Sequence, residues 1–208
     1  ADRIENGTSA DTETLRGQTS LYDYEFYQDK ENYNGFRNPM SIDIDPISNR
    51  VALSDYSNNR ILIYESYNSG TTPVAVIGRT EGDEGIARPA FRDVAIHGNF
   101  VFTAAGESEG GDINANRILI YDLRNLATED GVPDELFLPT DVLGQDYDGL
   151  SMPANNCNQN NTTGPDTVCN VQHMATDDMG NLWVSDTGNN RVIMFEDPAG
   201  HLHSSPTS

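Results

Sequence analysis

Lysine is almost missing from this chain. Lys30 is the only one, and 12 basic residues face 33 acidic ones, for a net charge of −21. Phosphate backbones are bound by clustered Lys and Arg that displace counterions, so this scarcity argues against nucleic acid as a partner. Anionic membrane surfaces are disfavoured on the same ground. No apolar run approaches the length that crosses a bilayer as a helix, which argues against insertion by that route. Sustained helical periodicity is absent as well, which argues against a helical bundle. Cysteine is limited to Cys157 and Cys169 and histidine to four residues, too few and too scattered for a zinc set. There is no Gly-x-Ser-x-Gly elbow, no phosphate-binding glycine loop and no EF-hand pattern. The acidity that remains reads as a soluble, self-repelling surface.

What the chain does have is one phrase written three times: Ser54 to Tyr64 (SDYSNNRILIY), Asn114 to Tyr121 (NANRILIY) and Ser185 to Phe195 (SDTGNNRVIMF). Each copy follows two short β-branched or aromatic runs bounded by Gly, Asn, Asp and Pro, which read as strands joined by tight turns. Upstream of the first are Ser41 to Asp45 and Arg50 to Asp55. Upstream of the second are Asp93 to His97 and Asn99 to Ala104, and of the third His173 to Asp177 and Asn181 to Asp186. A glycine-bearing fourth strand follows the first two units, at Pro73 to Gly78 and Thr140 to Gln145. Four short antiparallel strands repeated at this spacing predict an all-β fold of propeller blades, about three in this chain.

The pattern Asp-x-x-Asn-Asn-Arg before an apolar strand, preceded by a strand ending in Asp and a Gly-Asn turn, resembles the NHL repeat. The phrases Leu15-Arg16-Gly17-Gln18 and Leu143-Gly144-Gln145 are similar to the Leu-Gly-Gln link of bacterial-type NHL arrays. The resemblance covers most of residues 12 to 198. It is strong in units one and three and weaker in unit two, where Ala104 takes the place of the Asp and Glu107 to Ile113 are inserted. It implies a β-propeller, usually of six blades. Some members bind RNA through a basic face, which this chain lacks. In others, such as the peptide-amidating lyases, channel histidines and carboxylates hold zinc and calcium. Here His97 and His173 have no third histidine at repeat-equivalent spacing.

Repeat-defining residues generally hold a unit to its neighbours, so Asp55, Arg60, Arg117, Asp186 and Arg191 are read as structural. The carboxylates are expected to accept backbone N–H groups of the turn, with Asn58, Asn59, Asn189 and Asn190 tolerating left-handed backbone. The arginines are expected to fork onto a carboxylate or onto carbonyls of a neighbouring blade. Cys157 and Cys169, in a polar loop, predict a disulfide. Asn6, Asn160 and Asn161 head glycosylation triplets that a glycosylating host could use. Asp43, Asp45, Asp177 and Asp178, or Glu107, Glu109 and Asp112, are oxygen-rich enough to suggest calcium, a signal of composition alone. No residue is assigned a catalytic, cofactor-binding or metal-ligating role.

The predicted organisation is a loose N-terminus over 1–11, propeller blades within 12–198 and a flexible tail over 199–208. Within the blades, 12–18 is a spare fourth strand, and the units span 39–78, 89–144 and 171–198. Between them, Tyr22, Tyr24, Phe26, Tyr27, Tyr33 and Phe36 are expected to cover a propeller edge. The chain starts with a spare fourth strand and its third unit lacks one. Three units are also too few to close a ring comfortably. Together with the cysteines and an Ala1 that suits a processed chain, this predicts a secreted or cell-surface assembly module that shares strands between copies, as a closed dimer or a head-to-tail polymer. The alternatives are a ligand-binding or sensor fragment of a larger surface protein, and a propeller enzyme of lyase or lactonase type with a channel metal.

Overall fold

The computed structural model describes residues 35–67, 72–78, 89–107, 115–125, 128–129, 132–133, 139–145, 156–158 and 162–202. The fold is all-β. Strands β1 (Pro39–Ile44), β2 (Val51–Asp55), β3 (Arg60–Tyr64) and β4 (Ala75–Gly78) form one antiparallel sheet in that order. In the second sheet β5 (Pro89–His97), β6 (Phe100–Glu107) and β7 (Arg117–Asp122) pair in sequence. A small ribbon of β8 (Thr128–Glu129) and β9 (Val132–Pro133) follows, and then β10 (Asp141–Leu143) returns to β7 as the fourth strand. The third sheet holds β11 (Val171–Thr176), β12 (Leu182–Asp186) and β13 (Arg191–Phe195). The expected spare strand over 12–18 lies outside the described residues.

Local chemistry fixes these hairpins. Between β1 and β2 the Asp45 carboxylate accepts the N–H groups of Ser48 (2.9 Å) and Ile47 (3.4 Å). Between β11 and β12, Asp177 accepts the N–H groups of Met179 and Asn181, both at 3.0 Å, and the Trp183 indole N–H at 3.0 Å. The second unit has His97 at this place and turns on Gly98, whose φ of 58° suits glycine. The fourth strands end on Gly78 (φ 123°) and Gly144 (φ 84°). A Cβ at Gly78 would overlap the Asn59 carbonyl and one at Gly144 the Val168 side chain, so no larger residue fits either place.

The three sheets stack face to face. Alternate residues of each strand point to opposite faces. One core joins the inward face of the first sheet (Ala52, Ile61, Ile63, Ile77) to Val94, Ile96, Leu119 and Tyr121 of the second. The other joins Ala95, Phe102, Ile118 and Ile120 to Leu182 and Val184 of the third. The first strands lie beside one another, β1 against β5 and β5 against β11. A strand buried on both faces needs apolar side chains at every position, which is why RILIY reads as a continuous run.

Strand register corrects one expectation. Ala105, not Ala104, faces Arg117, as Asp55 faces Arg60 and Asp186 faces Arg191. A register irregularity near the start of the first strand recurs in all three units, between Pro39 and Ser41, Phe91 and Asp93, and Val171 and Met174, so it does not set the second unit apart. Residues 199 to 202, expected to begin a flexible tail, instead place Ala199 and Leu202 against the second core.

Candidate functional site

The repeat residues form clamps. Asp55 accepts the Arg37 N–H (2.7 Å), the Asn58 amide (2.8 Å) and the Arg60 Nε–H (2.7 Å), while Arg60 reaches the Gly35 carbonyl (2.8 Å). Asp186 accepts the Cys169 N–H (2.7 Å), the Asn189 amide (2.8 Å) and the Arg191 Nε–H (2.7 Å), while Arg191 reaches the carbonyls of Gly164 (2.8 Å) and Thr167 (2.6 Å). Arg37 and Cys169 each stand two residues before the first strand of their unit. Each clamp therefore fastens the segment leading into its own sheet, not a neighbouring one. The asparagines divide the work: Asn58 and Asn189 donate to the carboxylate, and Asn59 (φ 52°) and Asn190 (φ 54°) supply the left-handed turn. Arg117 is buried opposite Ala105, where the other two units have Asp.

Cys157 and Cys169 are bonded, with Cα atoms 4.6 Å apart. Because the Asp186 carboxylate holds the Cys169 N–H, the disulfide ties the loop before the third sheet to its clamp. Sequence reasoning missed a second tie: Asn158 and Asn189 exchange amide hydrogen bonds of 2.7 and 2.6 Å. Asn158 (φ 48°) shares left-handed backbone with Asn170 (φ 51°), and no sequence signal sets it apart. Asn6, Asn160 and Asn161 lie outside the described residues, as do Glu109 and Asp112.

The first strands carry a second device. Ser41, Asp93 and His173 hold equivalent places on β1, β5 and β11, ahead of Ile42, Val94 and Met174. The Ser41 hydroxyl accepts the Val94 N–H (3.3 Å), and the Asp93 carboxylate accepts the Met174 N–H. Asp43 adds a bond to the Ile96 N–H (2.9 Å). Side chains of the first and second sheets thus cap the first strand of the sheet that follows. Burial pushes the Asp93 carboxyl above the usual carboxylate range, against the lowering effect of Ser41, the Met174 N–H and nearby His173. Asp93 stands between the hydroxyl and the imidazole, an order that does not make a hydrolase relay, where the imidazole must sit beside the nucleophile.

The remaining candidate ligands are committed or apart. Asp177 is pulled down to about 2 by its bonds from Trp183 and Asn181. In Asp45, burial opposes the charge, but bonds from Ser48, Gly98 and Ile47 win and lower the carboxyl. His97 packs by Gly180 in the β11–β12 turn, whereas His173 neighbours Asp93 at the other end of these strands. Among the described residues no cluster of His, Cys, Asp and Glu could hold a metal. No described helix is long and apolar enough to cross a membrane.

The outer face of the third sheet is open, and that of the first is open along β1. On the third sheet Trp183, Val192 and Met194 are 45, 68 and 43% exposed, where Ile61 and Ile63 of the first are at 0%. On the first sheet Ile42 and Ile44 are 62 and 48% exposed, where Val94 and Ile96 of the second are at 2 and 0%. Phe36 packs on the outer half of that face, over Val51, Leu62, Tyr64 and Val76.

No family model matches the chain, and no curated protein matches its sequence.

Proposed function

We propose that the chain is a secreted or cell-surface β-propeller module of the NHL type whose role is assembly with other copies of itself through shared strands. One observation carries this reading. The third sheet has three strands where the first two have four, and β13 ends it with no fourth strand among the described residues. The Gly-bearing phrase at Leu15 to Gln18 resembles the fourth strands of the first two units. An unpaired edge strand is a template for another chain, and its capture by a neighbour removes an aggregation hazard. The disulfide supports an oxidising compartment. The clamps and face-to-face cores support blade-like units.

The native mass of the intact protein, set against its 22.8 kDa chain, tests this reading. The expected result is a dimer or larger species that becomes monomeric when residues 1–18 are deleted, with β-sheet circular dichroism retained. A parent that stays monomeric at high concentration, or a deletion variant that assembles like the parent, overturns it.

A further inference from the structure

We propose that the uncovered face of the third sheet receives the first sheet of a second copy, with the His173 imidazole accepting the backbone N–H of that copy's Ile42. The inference rests on the assembly reading and adds to edge pairing a specific face-to-face contact.

The chain states the rule for such a contact twice. At the first internal interface Ser41 caps the Val94 N–H, and Ala52, Ile61 and Ile63 share a core with Val94 and Ile96. At the second, Asp93 caps the Met174 N–H, and Phe102, Ile118 and Ile120 share a core with Leu182 and Val184. The pairs Ile42–Leu53, Val94–Thr103 and Met174–Val184 show that these places are equivalent in all three sheets. Continued by one step, the rule puts His173 against Ile42 and Trp183 beside it. A neutral imidazole nitrogen is an acceptor, as Ser41 and Asp93 are.

The half on the third sheet is open, and the half on the first is open along β1, while Val51, Leu53, Leu62, Tyr64 and Val76 beside it are buried under Phe36 and its surroundings. Ala175, Trp183, Val192 and Met194 occupy the places of Ala95, Phe102, Ile118 and Ile120, yet they are exposed. Ile42 and Ile44 occupy the places of Val94 and Ile96. Among the described residues neither of their N–H groups meets a side-chain acceptor, unlike those of Val94, Ile96 and Met174. β13 also reads as a strand meant to be buried on both faces, since RVIMF is apolar at every position after the arginine. An exposed apolar patch of this kind marks an interaction surface. Because the two faces differ, the contact is heterologous: two of them close a dimer of six sheets, and an open series makes a filament.

The experiment is sedimentation of the full chain at moderate salt, which screens repulsion between two copies of charge −21. Two variants each spoil one face: Val192→Glu with Met194→Glu, and Ile42→Glu. Each alone should weaken assembly at least about tenfold, since a carboxylate must be buried in an apolar contact. Mixed together they should recover one contact per pair and give a heterodimer, because each supplies the face the other lacks. His173→Leu should weaken association about fivefold by removing the acceptor, and His173→Asp, the residue of the second unit, should restore it. Trp183→Ser is the milder variant if a glutamate disturbs folding, judged by circular dichroism. Face variants that assemble like the parent, or a mixture that stays monomeric, overturn the face contact while leaving edge pairing intact. A monomeric parent overturns both readings.

Discussion

β3 and β13 carry the same pattern, an arginine and then four apolar residues, and meet opposite surroundings. In β3 every side chain is buried. In β13 alternate side chains lie open, although both strands pair in the same register with a preceding strand and both arginines donate Nε–H to its Asp. The phrase therefore specifies the hairpin and the clamp. Burial is set by whether another sheet stacks on it. The third unit is built like the other two, with no further sheet on its outer face among the described residues.

The largest break in that likeness should come at the clamps. Substituting Asp55 by Ala takes its carboxylate away from the buried Arg60 guanidinium, a loss that typically costs about 3–5 kcal/mol. Asp186→Ala should cost less, because Arg191 is partly exposed and water can solvate it. Urea unfolding of the two variants gives the comparison, and equal losses would show that the clamps do not feel the difference in burial.

Core truncations sharpen the same contrast. Ile63→Ala empties a site between two sheets and should cost about 2–5 kcal/mol. Met194→Ala, at the equivalent place on an open face, should stay within about 0.5 kcal/mol in the monomer. A large loss at Met194 at low protein concentration would mean that the face is covered within one chain. The disulfide lies next in size. Cys157→Ser with Cys169→Ser should cost about 2–3 kcal/mol, read as a lower urea midpoint. No change would mean the loop is held by the Asn158–Asn189 exchange alone.

Strands were legible in the sequence because β-branched runs between Asn, Gly and Asp turns leave little choice of element. The clamp roles were legible as a class, yet the arginine targets were not. Whether Arg60 reaches its own sheet or the next depends on where the lead-in segment runs, and no local pattern encodes that. The caps between sheets, Ser41, Asp43 and Asp93, were missed as contacts because their partners are backbone N–H groups some 53 to 81 residues away. A row of different residues at one repeat position was the available signal: Ser41, Asp93 and His173 share only the capacity to accept. The β8–β9 ribbon was missed because two-residue strands carry no period.

The smallest expected effect is one of slope. Asp93 performs at a buried interface what Ser41 performs at a more open one, and it does so with a charge. Its folded carboxyl lies above the ordinary range near 3.9, so the folded state holds that proton at pH values where the unfolded chain has released it. Stability from this group is therefore lost as pH rises through the unfolded and then the folded value, and regained on acidification. Asp45, Asp122 and Asp177 have lowered carboxyls and act in the opposite sense, losing stability as pH falls through their folded values at the acid end. The two effects occupy different windows, so a single substitution separates them. Asp93→Asn keeps an oxygen to accept the Met174 N–H and adds an amide that can donate to the Ser41 hydroxyl, while removing the titration. The expected variant is at least as stable as the parent at neutral pH. Its advantage should shrink on acidification just above the ordinary carboxylate range, while the loss at lower pH stays as in the parent. Urea midpoints across that range check it. An Asp93→Asn variant whose pH profile runs parallel to the parent's would mean that Asp93 is ionised at no cost between the sheets.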